Sequence, residues 1–330
     1  MGSRKALALV GSDSLLGREL RDLFPQSGIG GTLALVAGGD EEAGALTRLE
    51  DEPTVISRLE PDSLEGADLV FLAGTAESSR QALALQPAGT LVDLTYAIED
   101  APAARVRAPL VEGRGCTPPP GTVHVVAHPA ALATALLLGR LHELSDVARA
   151  VVHIFEPASE RGRRGLDELQ QQTANLLSFK GLPKDVFDAQ LSFSMLARYG
   201  EEAPESLEGI EQRIERHLAS LHAGSHAAPM PSLRLIQAPV FHGYSLSFWV
   251  EFEENPGLEA IEETLSEDPV DMRGAGLEPP TNVGIAGQSG LAAGALAVDR
   301  NNPHAVWFWV VADNVRLSAE TAISIARELL

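Results

Sequence analysis

The chain has 330 residues, which is long enough for two domains with separate cores. Apolar residues make up 45% and charged residues 22%, a composition typical of a water-soluble globular protein. Aspartate and glutamate number 46 against 25 lysines and arginines, so the formal net charge is −21. Such a charge repels nucleic acids and anionic membranes, and neither is expected as a partner. No apolar stretch reaches the roughly 20 residues of a membrane span, and we predict a cytoplasmic protein.

The single cysteine, Cys116, rules out an internal disulfide. Its neighbours are rich in glycine and proline, which is typical of a loop. The sequence has no cysteine pair with the spacing of a zinc site. We therefore predict an inert loop thiol and no metal.

The first half of the chain alternates short apolar segments with amphipathic ones. Strands interleaved with helices indicate a parallel sheet that is covered on both faces. We predict an α/β fold whose N-terminal domain, residues 1–130, is Rossmann-like. The predicted strands are Lys5–Val10, Leu33–Val36, Ala67–Ala73, Leu91–Leu94 and Val123–Val126, and a helix is predicted at Arg18–Phe24.

The second half mixes strands and helices without strict alternation, which indicates an α+β domain over residues 131–313. The polar stretch Gly200–Pro231 is predicted to be an insertion or a flexible arm. Predicted helices are Gly165–Leu177, Leu207–Leu221, Gly257–Leu265 and Ser318–Leu330; predicted strands are Ala148–Phe155, Ser232–Gln237, Ser245–Phe252 and Ala305–Val311.

A candidate nucleotide site lies between Gly11 and Gly17, after the first strand and before the first helix. The N–H groups of such a helix N-terminus bind the pyrophosphate of a dinucleotide. Ser14 replaces the middle glycine and Asp13 adds a negative charge, so a turn without a ligand is the alternative. Asp40, after the second strand, would bond a ribose 2′-hydroxyl and repel a 2′-phosphate, which favours NAD over NADP. A solvated acidic loop is the alternative for Asp40.

Two other clusters carry reactive or charged side chains. His242 and Tyr244 are two residues apart, so on a strand they would share a face and could transfer protons. A hydrogen-bonded structural histidine is the favoured alternative. Arg161, Arg163 and Arg164 form a basic run at a helix start. They would suit a phosphate or an acidic partner, but a solvated turn is favoured.

Several segments follow the order and spacing of a known family. By them the chain resembles the aspartate-semialdehyde dehydrogenases over nearly its whole length, and it is similar to their usg-type branch. The segments are Val10–Leu20, Glu60–Glu65, Ala67–Gly74, Val126–Pro129, Gly165–Leu169, Ala238–Ser245, Val250–Phe252 and Trp309–Arg316.

The resemblance implies a Rossmann domain that binds a nicotinamide cofactor and is completed by the C-terminal helix, residues 314–330. Gly74 and Asn314 then join Gly11, Gly17 and Asp40 as implied cofactor positions. The second domain is implied to form a homodimer.

The resemblance also implies a chemistry in which a cysteine attacks an aldehyde, hydride leaves to the cofactor and phosphate cleaves the thioester. Here the cysteine position holds Ala131, whose methyl group cannot form a thiohemiacetal. The position of the base holds Tyr244, whose ordinary pKa of about 10 makes it a poor base. The position of the arginine that binds the substrate carboxylate holds Gln237, which has no charge.

Further family positions carry acids. Glu156 stands where a glutamine holds the substrate, and Glu99 stands where an arginine binds phosphate. No lysine follows Lys184 to supply the implied phosphate-binding lysine. These substitutions remove positive charge or add negative charge, which opposes an anionic substrate.

Three hypotheses follow, in this order. The first is a homologue without catalysis that binds a nucleotide, a small-molecule metabolite or a protein. The second is an enzyme of altered, non-covalent chemistry that uses Tyr244 or His242 as an acid with NAD(H). The third is an ordinary aspartate-semialdehyde dehydrogenase.

Overall fold

A computed structural model of the chain describes residues 5–39, 41–49, 52–112, 119, 121–223 and 228–330. The chain divides into two compact units, Met1–Ala127 with Ser318–Leu330, and His128–Leu317. Asp40 and Cys116 lie outside the described residues, so the predictions for them stay predictions. Within the described ranges, no helix has both the length and the apolarity needed to cross a membrane.

The secondary-structure elements are numbered along the chain. The strands are β1 (Lys5–Val10), β2 (Gly31–Val36), β3 (Leu46–Leu49), β4 (Glu52–Val55), β5 (Leu69–Leu72), β6 (Thr90–Asp93), β7 (Ala104–Arg107), β8 (Val123–Val126), β9 (Val147–Glu156), β10 (Ser232–Gln237), β11 (Tyr244–Phe252), β12 (Val270–Arg273), β13 (Leu291–Val298) and β14 (Ala305–Ala312). The helices are α1 (Leu15–Leu23), α2 (Pro61–Leu64), α3 (Ala76–Ala84), α4 (Pro129–Leu144), α5 (Gly162–Leu177), α6 (Leu207–Leu221), α7 (Leu258–Leu265), α8 (Asn282–Ile285) and α9 (Asn314–Leu329).

The first unit is built on a parallel sheet with the strand order β2-β1-β5-β6-β8-β7. Both faces of this sheet are buried. Leu7, Leu9 and Phe71 share a core with Ile323 of α9. The alternate residues of these strands point to the opposite face of the sheet, where Val10 packs in a second core with Leu64 and Ala82. Successive side chains of each strand point to opposite faces, so apolar strands supply both cores. The parallel sheet with two buried faces confirms the predicted Rossmann-like fold.

The second unit is built on a mixed sheet with the order β10-β9-β11-β14-β13-β12. The central strands β9, β11 and β14 pair antiparallel, while each edge strand pairs parallel to its neighbour. Helices α4, α6 and α7 pack against the strands of this sheet. The predicted α+β domain is therefore confirmed. Strands β12 and β13 were not predicted. The run of alanine and glycine in β13 has no polar alternation to mark a strand, and β12 has only four residues.

The prediction of a flexible arm over Gly200–Pro231 is wrong for its helical part. Helix α6 has the predicted bounds and packs against α4 and β10. Leu207, Ile210 and Ile214 are buried. The abundant Glu and Arg of this stretch lie on the other helix face, so its average polarity hid an apolar stripe.

The last helix begins earlier than the Ser318 predicted from the residue pattern, at residue 314 as the family resemblance implied. Asp313 caps it, since its Oδ1 accepts hydrogen bonds from the N–H groups of Val315 and Arg316, both at 3.0 Å. Its side chain therefore satisfies N–H groups that have no partner within the helix. Helix α9 starts at Asn314 for this reason.

Candidate functional site

Three glycine backbones meet at the carboxyl ends of β1, β2 and β5 in the first unit. A Cβ on Gly11 would lie 2.1 Å from the backbone N of Gly74, and one on Gly38 would lie 2.7 Å from the Cα of Gly11. Gly11 also has φ +84°, which a side chain would strain. Ligands of open parallel sheets bind at this edge of the sheet. The predicted positions Gly11 and Gly74 are thus brought together by the fold.

Gly17 lies on the first turn of α1, where a Cβ would lie 2.0 Å from the carbonyl oxygen of Gly11. Its N–H donates to Ser14 Oγ at 2.9 Å, and the Ser14 hydroxyl donates to the carbonyl of Ala73 at 2.6 Å. Ser14 therefore caps α1. Asp13 Oδ1 lies 2.9 Å from Arg18 Nε, so part of its charge is balanced within the turn.

A buried polar cluster lies inside the second unit, where the two family positions for substrate contacts, Glu156 and Gln237, are neighbours. Glu156 and Gln237 end the neighbouring parallel strands β9 and β10 and are paired in register. Both residues are fully buried. Gln237 Nε2 donates to the carbonyl of Glu156 at 2.8 Å. The sheet register, rather than any local sequence feature, places these two side chains side by side.

Tyr199 closes this cluster from the segment between α5 and α6. Its hydroxyl lies 2.5 Å from Gln237 Oε1 and 3.3 Å from Glu156 Oε1. Backbone hydrogen bonds between Leu196 and Gln237, in both directions, hold that segment against β10. Burial raises the pKa of Tyr199 well above its ordinary value, so it remains a phenol. The amide of Gln237 is therefore fully engaged within the protein.

Tyr244, at the family position of the base, is fully buried. Its hydroxyl lies 3.3 Å from Glu156 Oε2 and 3.4 Å from His128 Nε2. The prediction that His242 and Tyr244 share a strand face is wrong. β11 begins at Tyr244, and Gly243 between them has φ +83°, so His242 precedes the strand and is only half-buried.

His128 caps α4 and is fully buried. Its Nδ1 accepts from the N–H of Ala130 at 3.3 Å, which places the ring proton on Nε2, facing Tyr244. Burial lowers its pKa well below the ordinary value, and the neighbouring His217 lowers it further. His217 Nδ1 in turn accepts the backbone N–H of His128 at 2.9 Å. His128 is thus a neutral, structurally bonded imidazole.

Arg161 supplies the positive charge of this cluster. Its Nη2 lies 3.4 Å from Glu156 Oε1, and its Nη1 bonds to Glu205. The prediction of a solvated turn is therefore wrong for Arg161, whose side chain is only 10% exposed. Burial raises the pKa of Glu156 to about 7, although Arg161 opposes the shift and the charge of Glu160 adds to it. Burial also raises the pKa of Glu160.

Asn314, an implied cofactor position, joins the same cluster. Its Nδ2 donates to Glu160 Oε2 at 2.9 Å, and its Oδ1 accepts from the hydroxyl of Ser159 at 3.0 Å. The N–H of Gly243 also approaches this oxygen at 3.4 Å. The side chain is buried and both of its polar atoms have protein partners. Its role with a cofactor stays a prediction.

Ala131, at the family position of the nucleophile, lies in the first turn of α4 and is fully buried. Glu99 lies in the turn after β6 of the first unit and is half-buried. Among the described residues, no group of His, Cys, Asp and Glu has a geometry that would hold a metal ion.

Comparison with known proteins identifies the family of this chain. The sequence profile of the semialdehyde dehydrogenase dimerisation domain matches residues 138–317, which is more than half of the chain. The chain belongs to the semialdehyde dehydrogenase family. The second unit contains the matched segment, so the family's dimerisation domain is the one that holds the buried cluster of Glu156, Gln237 and Tyr244.

Individual relatives are similar to this semialdehyde dehydrogenase homologue over nearly its whole length. A USG-1 protein homolog of Pseudomonas aeruginosa is 29% identical and covers 98% of this chain and 97% of its own length. An aspartate-semialdehyde dehydrogenase of Rickettsia bellii is 22% identical over 100% of this chain and 99% of its own. The solved structure of a probable aspartate-semialdehyde dehydrogenase from Pseudomonas aeruginosa superposes with a TM-score of 0.87 at 28% identity, covering 99% and 98% of the two chains. The predicted resemblance to the aspartate-semialdehyde dehydrogenases is thereby confirmed.

Several members of the buried cluster were not predicted from the sequence. Tyr199, His217 and Glu160 carry no motif and lie far apart along the chain. Their common feature, burial of a polar side chain, arises only when α6 and the segment before it pack on the sheet. The one available signal was the apolar stripe of α6, which places His217 on the same helix face as Ile210 and Ile214.

Proposed function

We propose that this protein is a catalytically inactive member of the aspartate-semialdehyde dehydrogenase family. The observation that carries the proposal is the buried cluster in the second unit. There the family positions for the base and the two substrate contacts hold Tyr244, Glu156 and Gln237, which bond to one another directly or through Tyr199. The polar groups of these three side chains are therefore bonded within the protein rather than offered to an anionic substrate.

Charge supports the same proposal. An enzyme that binds a carboxylate substrate and uses phosphate needs cations that are preorganised toward the anion. Two cations of this cluster bond to carboxylates of the protein itself, Arg161 to Glu156 and Glu205, and Arg213 to Glu205. A buried methyl group at Ala131 also provides no nucleophile for a covalent intermediate.

The test is an activity assay on the purified protein with aspartate semialdehyde, phosphate and either NAD or NADP. We expect no reaction above a cofactor-free blank, with a catalytically active family member as the positive control. The combined variant Ala131→Cys, Tyr244→His and Gln237→Arg should also stay inactive, since Glu99 and Glu156 still oppose anions. Turnover by the natural protein would refute inactivity, and turnover by the variant would refute the role given to the two acids.

A second candidate role is dinucleotide binding without catalysis, and the specific support is the approach of Gly11, Gly38 and Gly74 at the end of the parallel sheet. Asp13 and the acidic loop that contains Asp40 oppose a 2′-phosphate, so NAD is expected to bind better than NADP. Calorimetric titration with each nucleotide tests this role. Equal affinity for both, or tighter binding of NADP, would contradict the preference.

We also infer a homodimer, which is the association expected of a dimerisation domain. One face of the sheet in the second unit carries all three tryptophans of the chain, Trp249, Trp307 and Trp309. Trp249 and Trp307 are directly opposite each other on neighbouring strands. The ring centroids of Phe155 and Trp309 are 5.9 Å apart. Phe248 and Val250, which face the opposite side, are fully buried, whereas Trp307 is 38% exposed. Large exposed aromatic residues are typical of the core of an interface.

A further inference from the structure

A carboxylate of the protein itself lies beside the N-terminal end of α1. Glu41 is in the loop after β2, and its Oε2 accepts the N–H of Gly38 at 3.2 Å. The other carboxylate oxygen, Oε1, is buried and has no hydrogen-bond partner among the described residues. Burial raises the pKa of Glu41, while the nearby backbone N–H groups of Asp13, Gly38 and Ser14 oppose that shift. These donors belong to the glycine turn and to the adjoining end of β2, the place where parallel sheets bind phosphates.

The surroundings fit an anion in two further respects. Helix α1 spans nine residues, so its N-terminus carries the partial positive charge of a full helix. The Ser12 hydroxyl, in the same turn, is fully buried and has no hydrogen-bond partner among the described residues. Arg18, a cation of the same helix, forms an ion pair with Asp13. The cradle is therefore built for a negative group, and Glu41 is the negative group that the structure places there.

We propose that the carboxylate of Glu41 is an internal ligand of the glycine turn, which stands in for a phosphate and excludes phosphate-bearing ligands. A second anion in the same cradle would be repelled by the carboxylate and would compete for the same N–H groups. This goes beyond the proposed inactivity, because it concerns binding to the first unit and holds whether or not the second unit catalyses a reaction. It excludes the second candidate role, since NAD carries a pyrophosphate, and saturable binding of NAD by the natural protein would contradict it.

The test uses the full chain and inorganic pyrophosphate as the probe. Glu41→Gln removes the charge but keeps an oxygen that can accept the N–H of Gly38, and Glu41→Ala also removes the side chain. Glu42→Gln is the matched control, because it removes the same charge from an exposed neighbour. Calorimetry should show that pyrophosphate binds both Glu41 variants about tenfold or more tighter than the natural protein and the control.

Thermal unfolding provides an independent measurement on the same proteins. Pyrophosphate should raise the melting temperature of Glu41→Ala and leave that of the natural protein unchanged, since a ligand stabilises only the fold that binds it. Equal affinity in all four proteins, or no binding by either Glu41 variant while both remain folded, would overturn the proposal. Catalytic activity enters none of these measurements, so the outcome is separate from that of the proposed function.

Discussion

At the scale of single residues, Glu156 has the clearest energetic consequence. Its pKa in the folded protein is about 7, against an ordinary value of 4.5, so the fold binds the proton more tightly than the unfolded chain does. The stability linked to this group is fully present below pH 4.5 and is lost as the pH rises through about 7. We expect Glu156→Gln to remove this loss, which is on the order of 2 kcal/mol between pH 5 and pH 8.

Urea unfolding at a series of pH values measures this effect as the difference between the two proteins. The amide oxygen of the variant can accept a hydrogen bond from one of the two hydroxyls, Tyr199 or Tyr244, and its NH2 group can donate to the oxygen of the other, so the variant is expected to fold. Glu201→Gln is the control, because that side chain is exposed and should leave the profile parallel to the natural one. A constant difference between Glu156→Gln and the natural protein across this range would contradict the buried, protonatable carboxyl.

At the scale of elements, α6 decides whether the second unit has a closed polar cluster. The helix brings His217 to the backbone of His128 and Arg213 to Glu205, while Ile214 anchors its apolar face. A flexible arm could not hold a neutral imidazole against the N-cap of α4. Packing of α6 is therefore expected to be part of the folding unit rather than an addition to it.

We expect Ile214→Ala to destabilise the protein by about 2–4 kcal/mol, because it leaves a cavity beneath a fully buried side chain. Glu215→Ala, on the exposed face of the same helix, is the matched control and should change stability by less than about 0.5 kcal/mol. Denaturant unfolding compares the two. If both substitutions changed the free energy of unfolding by similar small amounts, α6 would be a loosely attached arm and this prediction would be wrong.

At the scale of the whole molecule, the tryptophan-bearing sheet face predicts how two copies associate. Trp307→Glu would place a charge on that face, and we expect it to weaken the dimer by about 2 kcal/mol or more, roughly 30-fold in the dissociation constant. Leu46→Glu is the control, since it adds the same charge at an exposed apolar residue of β3 in the first unit, outside the dimerisation domain. Sedimentation velocity over a range of concentrations measures both. Unchanged association of Trp307→Glu would place the interface elsewhere.

Sequence patterns alone are enough to predict the class of fold and the family of this chain. Apolar strands that alternate with helices specify a covered parallel sheet wherever they occur, and the ordered segments that resemble the family span the chain. Local patterns also gave the bounds of α6 and the glycine turn before α1, because apolar spacing and glycine act over a few residues.

Only the tertiary structure decided what the polar residues do. Glu156, Tyr199 and Gln237 lie in three separate segments, and the register of β9 with β10 joins them. The sequence around Arg161 predicts a solvated basic turn, yet its side chain is buried and pairs with the carboxylates of Glu156 and Glu205. Burial and long-range pairing set the partners and the pKa values of such groups, and neither is written in the spacing of neighbouring residues.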